Sequence, residues 1–481
     1  MLTLLLILLP AIGAAAAYAV ANGARRVRVL LVTAAAHLVL VAALWTRPGQ
    51  SAFDGWLSAD AFGLVVLSLV SVLFAAVAAY AVGVLSLEKQ RGGRGFVSCL
   101  LAFLAATSLV ALSQHLALLW IGMEATTLAV APLIFHRRDR RSLEAVWKYL
   151  VLSSVGIAFV LLAVFLLATA QAPAAAQRPL MLVDLRHGAA ALDPRWLRAS
   201  YVFALIGFGT KMGLAPLHTW KPDTYGEAPE LVGALMAGGL TACAFLGLAR
   251  FTEVAVAAGL LPFIRPLLVV FGLFSLFVSA AFMIGQADVK RLLAYSSVEQ
   301  MGLLVLGLSV AGAGNYGSVV LTLSNGLIKG ALFLAVGNLA RVAGSSVAGE
   351  MRGLLRRRRA SAVLVVAALF AVTGAPPFGL FVGVYAIFRG IIGAHQPWLA
   401  VAVALPLSIA FVGIAAMLLE IVYADAAPAA DEPARARRES AWLVAGPAVL
   451  TALVLMLGLY LPPPLRAALD QAAAALGGSA P

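Results

Sequence analysis

The sequence is short of charge and of cysteine. Only 11% of its 481 residues are Asp, Glu, Lys or Arg, against about 25% in an ordinary soluble domain. That shortage excludes a water-soluble globule. Two cysteines exclude a disulfide scaffold and a four-thiolate iron–sulfur cluster held within the chain. Cys99 and Cys243 both lie in apolar runs and read as small buried hydrophobes. Histidine is scarce too. His37, His115, His136, His187, His218 and His395 show no pair at metal-ligand spacing, so no metal is expected. Gly312, Gly314 and Gly317 match G-x-G-x-x-G literally. They fall in a short connection between two apolar runs, without the strand and βαβ unit that would make them a nucleotide site. No cofactor and no catalytic centre are therefore expected in this chain.

What is abundant is apolar sequence, at 63% of all residues. A membrane-crossing helix needs about 20 such residues. Spans are expected near 2–22, 27–46, 60–85, 96–113, 116–135, 145–170, 199–220, 229–251, 258–285, 291–312, 316–342, 360–388, 396–423 and 441–463. The fold class is all-α and polytopic, with about fourteen transmembrane helices and no room for a soluble domain. The first run lacks a basic flank and is followed at once by another, so it reads as a span and not a signal peptide.

The formal charge of +13 does not point to nucleic acid, because the basic residues lie between apolar runs rather than on one face. They set topology instead. One set of connections carries 23 of the 34 Lys and Arg residues. These are Arg25, Arg26, Arg28, Lys89, Arg91, Arg94, Arg137, Arg138, Arg140, Arg141, Lys148, Lys221, Lys290, Arg291, Arg341, Arg352, Arg356 to Arg359, Arg435, Arg437 and Arg438. The other set carries nine, Arg250 among them. The first set should face the cytoplasm, with both termini outside. The two remaining lysines, Lys211 and Lys329, lie inside spans.

A charge at membrane depth costs at least about 2.5 kcal/mol and asks for a reason. Glu124 sits roughly 12 Å into the fifth span at 1.5 Å per residue. Lys211 lies deep in the seventh, Glu299 in the tenth and Lys329 in the eleventh. Each could be a buried ion pair or a side chain reaching for the interface; the central placement and opposite signs of Glu124 and Lys211 favour function. Two spans are broken as well. The seventh reads GFGTKMGLAPLHTW, with Gly213 and Pro216 just past Lys211. The twelfth reads FAVTGAPPFGLFVG, with Gly374, Pro376 and Pro377 near its middle. Proline removes a backbone donor, and broken backbone is tolerated at membrane depth only where protein or a wet cavity satisfies it. Interrupted helices five spans apart point to inverted repeats with a site at the midplane. The expected organisation is one integral-membrane domain over 1–481. It comprises N-terminal helices in 1–90, a first repeat of spans 4–8 in 91–255, a second of spans 9–13 in 256–425, and a last helix in 426–481.

The run KMGLAPLHTWKPDTYGEAPELVGALMAG, which opens at Lys211, resembles the seventh-to-eighth helix signature of the antiporter-like membrane subunits of respiratory complex I, Mrp sodium/proton antiporters and membrane-bound hydrogenases. DVKRLLAYSSVEQMG, residues 288–302, is similar to the ninth-to-tenth helix signature of the same family. Within it, RRSLEAVWKYLVLSSVGIAF resembles the F component of hydrogenase-4 and its formate-hydrogenlyase relatives. The resemblance implies that Glu124 is the fifth-helix glutamate, that Lys211 is the seventh-helix lysine ion-paired with it, and that Lys329 is the eleventh-helix lysine. It places His218 beside the break, in a polar, structural or proton-transfer role. Departures stand out. The eighth-helix lysine of relatives falls on Ala242, beside Thr241, the twelfth-helix Glu or Lys on Val384, and the eleventh-helix histidine on Asn325. The entry half of a proton path is kept and the exit half is depleted, with Glu299 as a candidate substitute relay.

The function so implied is proton translocation in a redox-driven complex of the hydrogenase-4 or complex I type. Partners would be further antiporter-like membrane subunits, a peripheral iron–sulfur hydrogenase or dehydrogenase arm on the cytoplasmic side, and lipid, in a bacterial inner membrane. Two alternatives remain open: a stand-alone Mrp-like cation/proton antiporter component, or a scaffold that has lost pumping.

Overall fold

The computed structural model describes residues 1–47, 49–87, 93–171, 179–351, 358–423 and 439–477. Lys89, Arg91, Arg352, Arg356, Arg357, Arg435, Arg437 and Arg438, named above as topology residues, lie outside the described residues, as does Arg178 of the opposite set.

All fourteen expected runs are helical. Among the described residues twelve are single helices long and apolar enough to cross a membrane, and the two broken ones are each built of two pieces. Spans 1 to 6 are Leu2–Ala19, Gly23–Trp45, Ala61–Leu87, Arg94–Leu112, Leu116–Ile134 and Arg140–Ala170. Span 7 is in two pieces, Pro194–Met212 and Trp220–Glu227. Span 8 is continuous but irregular: Glu230–Leu235, a π-helical turn over Met236–Leu240, then Thr241–Ala257. Spans 9 to 11 are Leu261–Met283, Val289–Val310 and Ala313–Ala343. Span 12 is again in two pieces, Arg359–Val372 and Gly379–Gly393; spans 13 and 14 are Pro397–Tyr423 and Ala441–Leu459. Gly314 and Gly317 prove to lie inside span 11 rather than in the connection before it, because that helix starts at Ala313.

Spans 8 and 11 are wholly buried and span 10 nearly so, whereas spans 1, 2, 13 and 14 bury only about a third of their apolar stretch. The first three form the centre of the bundle and the last four its periphery. Small residues set the spacing at the centre. A Cβ added at Gly238 on span 8 would lie 2.6 Å from the Gly326 carbonyl oxygen on span 11, so the two backbones touch, as small-residue interfaces in membranes do.

The two ends of the bundle differ in chemistry. At one end the connections after spans 5, 7, 9 and 11 converge on a polar cavity of about 580 Å³ lined by Arg137, Arg141, Glu227, Lys290 and Arg291, among others. At this end Asp139 caps span 6 in a reciprocal box with Ser142, and that backbone hydrogen bond holds its carboxyl below the usual carboxylate range. At the opposite end a short antiparallel pair, Ser51–Ala52 with Leu57–Ser58, covers the bundle. Here Arg250 corrects its reading as a loop residue. Span 8 runs on to Ala257 and holds the Arg250 guanidinium fully buried. It donates to the carbonyls of Ala111 (3.0 Å), Val110 (3.3 Å) and Ser113 and to Asp60 Oδ1 at 3.0 Å. One turn on, buried Glu253 pairs with Arg186 at 3.2 Å. Mutual neutralisation lets the helix outrun its apolar stretch.

Three elements were illegible in the sequence. The β pair, the helix Leu182–His187 and the helix Pro463–Ala475 all lie in connections too short or too alanine-rich to show a period. The last of these docks its buried Leu469, Ala472 and Ala473 on the bundle, and Asn315 Nδ2 donates to the Leu476 carbonyl at 2.9 Å.

Candidate functional site

The site grows out of the break in span 7. Gly213 turns the chain with φ +76°, a conformation costly for any side chain. A break at this depth frees backbone groups, and protein atoms satisfy them. Trp220 Nε1 donates to the Thr210 carbonyl at 2.9 Å, and the Ala215 amide donates to Ser275 Oγ at 3.0 Å. The Lys221 ammonium donates to the Met212 carbonyl at 2.5 Å.

Lys211, on the last turn before the break, is fully buried. Its Nζ donates to Thr127 Oγ1 and lies 5.4 Å from the centre of the Tyr149 ring. The Thr127 hydroxyl is 3.2 Å from Glu124 Oε2 and donates to it. No ion pair joins Glu124 to Lys211 among the described residues, which corrects the direct pair that the resemblance implies. The physical reason is placement: Thr127 is one turn from Glu124 on the same helix, so its hydroxyl fills the gap the two charges would have closed. Glu124 is half-buried, and Ile121 and Leu128, one turn either side, are exposed. That face looks out of the bundle.

The second cluster lies between spans 10 and 11. Lys329 is fully buried and donates to Ser296 Oγ at 2.6 Å and to the Leu293 carbonyl at 3.1 Å. Glu299, one turn beyond Ser296, is also buried and within electrostatic reach of the Lys329 ammonium. Its Oε2 has no hydrogen-bond partner among the described residues, and neither have Ser297 Oγ, Gln300 Oε1, Ser324 Oγ or Asn325 Oδ1. Buried polar atoms left unpartnered by protein mark a path that water can line. The structure thus brings Glu299 to Lys329 and Glu124 to Lys211. His218 stands half-buried beside the first break, its Nδ1 unpartnered.

Sequence reasoning missed Lys221 and Lys290, counted above with the cytoplasmic connections. Both are buried. Span 7 does not end at 220 but resumes as Trp220–Glu227 and carries Lys221 inward; Lys290 donates to the Ala228 carbonyl at 3.0 Å. The Lys, Pro, Asp and Glu of WKPDTYGE lower the hydropathy of this half-helix, and that hid it. A continuation was signalled only by Asp223, which pairs with Lys148 (2.7 Å) and Arg291 (3.3 Å) of neighbouring spans.

The break in span 12 is built differently. Gly374 again has φ +76° and again stands three residues ahead of a proline, Pro377. Its surroundings are largely apolar, with the Ser324 hydroxyl against Gly379 as a polar neighbour. A Cβ added at Gly374 would sit 3.6 Å from Val384, and one added at Gly458 of span 14 would lie 2.6 Å from the Phe378 carbonyl carbon. Ala242 in span 8 is buried with no ionisable group to offer. Among the described residues no group of three or more His, Cys, Asp or Glu could hold a metal.

Comparison with known proteins bears on this arrangement directly. Residues 113–409, which hold the whole site, match the family described as NADH:quinone oxidoreductase/Mrp antiporter, TM. The chain belongs to that family. Among its relatives is a hydrogenase-4 component F homolog from Methylacidiphilum infernorum, 30% identical over 327 residues that cover 67% of this chain and 68% of the relative. NADH-quinone oxidoreductase subunit N of Deinococcus radiodurans is 32% identical over 343 residues, 70% of this chain and 67% of the relative. A chain of the archaeal membrane-bound sulfane sulfur reductase superposes with a TM-score of 0.86 at 20% identity, over 98% of this chain and 97% of that one. This antiporter-like chain therefore has the family's multi-pass all-α fold, with both broken helices in place.

Proposed function

We propose that this chain moves protons across a bacterial cytoplasmic membrane as the antiporter-like subunit of a redox-driven complex of the hydrogenase-4 or complex I type. The observation that carries the reading is the fully buried Lys211 at the end of a broken helix, linked through Thr127 to Glu124. Buried, unneutralised charge at membrane depth is expensive and is kept where it works. Lys211 is the proton carrier in this reading. Glu124 modulates it through the Thr127 hydroxyl, which accepts from one and donates to the other. Lys329 and Glu299 form the second station, and His218 is a polar neighbour of the break. The polar cavity at the basic end supplies access from the cytoplasm, with both termini outside. A two-repeat organisation, spans 4–8 and 9–13, fits the equal spacing of Gly213 and Pro216 and of Gly374 and Pro377.

Moving one charge through 100 mV takes about 2.3 kcal/mol, and an attraction between unit charges about 4 Å apart at an effective dielectric near 20 is about 4 kcal/mol. Changes in the Glu124–Lys211 separation are thus large enough to drive a proton against a membrane potential. Expected partners are further antiporter-like subunits, a cytoplasmic hydrogenase or dehydrogenase arm carrying iron–sulfur clusters, and lipid along the exposed faces of the outer spans.

The test is proton uptake per electron in proteoliposomes holding the intact complex, wild type beside Lys211→Met. Uptake per electron should fall. Unchanged coupling would favour the second reading, a scaffold, for which the uncharged Ala242 and Val384 are the supporting observation. Uptake driven by a sodium gradient without electron flow would favour a stand-alone cation/proton antiporter.

A further inference from the structure

We propose that Lys221 is the proton relay between the two stations, taking protons across the break in span 7 from the Lys211 side to the Lys329 side. The proposal rests on the proton-translocating reading above and adds a residue to it. Four observations carry it.

The Lys221 side chain is fully buried, and no carboxylate pairs with it among the described residues. An ammonium left without a counter-ion in the interior is costly unless it does something. Among the described residues its single hydrogen-bond acceptor is the carbonyl of Met212 at 2.5 Å, the residue next to Lys211. Both the ammonium and the neutral amine can donate to that carbonyl, so the bond survives loss of a proton. A lysine so held keeps its position through a transfer cycle.

The ammonium also has a path on each side. Towards span 11, Tyr225 beside the ammonium packs edge-on against Phe333 at 5.4 Å, one turn from Lys329. Like charges on two such lysines repel each other, which favours passing a proton onward. Around it stand Tyr225, whose ring centre is 5.8 Å from the ammonium, and Thr224; the hydroxyls of both are buried and unpartnered among the described residues. His218 Nδ1 and the Tyr149 hydroxyl are unpartnered likewise. Such a ring of polar groups can order the water that proton transfer over several ångströms requires.

Room for the side chain is built into the break. A Cβ at Gly213 would come 2.6 Å from Lys221 Cδ and 2.8 Å from its Cε. The glycine thus serves two ends, the turn at φ +76° and clearance for the lysine stem. At the position where relatives carry a lysine, span 8 has the uncharged Thr241 and Ala242, so Lys221 is the buried ammonium available to stand between the stations.

A purely structural role is the alternative: Lys221 would serve only to satisfy the Met212 carbonyl. Two variants separate the readings in the intact complex in proteoliposomes. Lys221→Gln keeps a donor for that carbonyl and loses the proton site. Lys221→Arg keeps donor and charge but does not release its proton. With Lys211→Met as the reference, both variants are expected to lose proton uptake per electron down to the reference level, while electron flux and assembly persist. If Lys221→Gln fails to assemble, Lys221→Arg decides alone. Wild-type uptake per electron in either assembled variant, with Lys211→Met impaired, overturns the relay and leaves the proposed function standing. Wild-type uptake in Lys211→Met itself overturns the proposed function.

Discussion

The breaks in spans 7 and 12 share a backbone and differ in what fills it. In each, a glycine with φ +76° stands three residues ahead of a proline that follows a cis peptide bond. In span 7 the freed groups are met by Trp220, Ser275 and Lys221, and two buried lysines flank the gap. In span 12 the gap is closed mainly by apolar contact and by the approach of Gly458 to the Pro377–Phe378 backbone, and among the described residues no lysine enters it. The only charged residue of its second half, Arg389, is exposed. The difference teaches that a helix break in this fold is a backbone device, and that conduction depends on the side chains placed in it. One break is furnished for ions and the other for packing.

The largest effect should strike both halves alike. Arg250→Met would leave Asp60 and three carbonyls without the cation that ties spans 3, 4 and 8 together. Removing one member of such a buried charged cluster costs about 3–5 kcal/mol, so the purified complex should melt at markedly lower temperature. An unchanged melting curve would show that the clamp is not shared scaffolding. Next comes the packed break. Gly458→Ala should cost about 1–3 kcal/mol through overpacking against the span 12 backbone while uptake per electron in the assembled fraction stays at wild type. A coupling defect there would mean that span 12 conducts after all. Last, and sharpest for the furnished break, is Thr127→Val. It keeps shape and removes the hydroxyl between Lys211 and Glu124. That hydroxyl makes two hydrogen bonds, from Lys211 and to Glu124. Losing them costs about 1–3 kcal/mol each at most, and proton uptake per electron should drop. Full retention would make Thr127 a bystander.

Much of this was legible in the sequence for a physical reason. Lipid demands long apolar helices, so all fourteen spans and both breaks could be read from hydropathy and from Gly and Pro alone. Lys211, Glu124, Lys329 and Glu299 were legible because charge in such runs is conspicuous. The gathering of Glu299 with Lys329 needed the structure, since it depends on how spans 10 and 11 pack. Lys221 stayed hidden because the half-helix carrying it is polar enough to pass for a loop. Thr127 was hidden because a threonine in an apolar run is ordinary, and only its position beside Lys211 makes it a link.

The account turns on the claim that protons pass the break in span 7 and not the one in span 12. Proton uptake per electron, measured side by side for Lys211→Met and Val384→Ala in reconstituted complex, tests it most directly. The account predicts a clear fall for Lys211→Met and wild-type coupling for Val384→Ala. Unchanged coupling in Lys211→Met, or a loss confined to Val384→Ala, would contradict it.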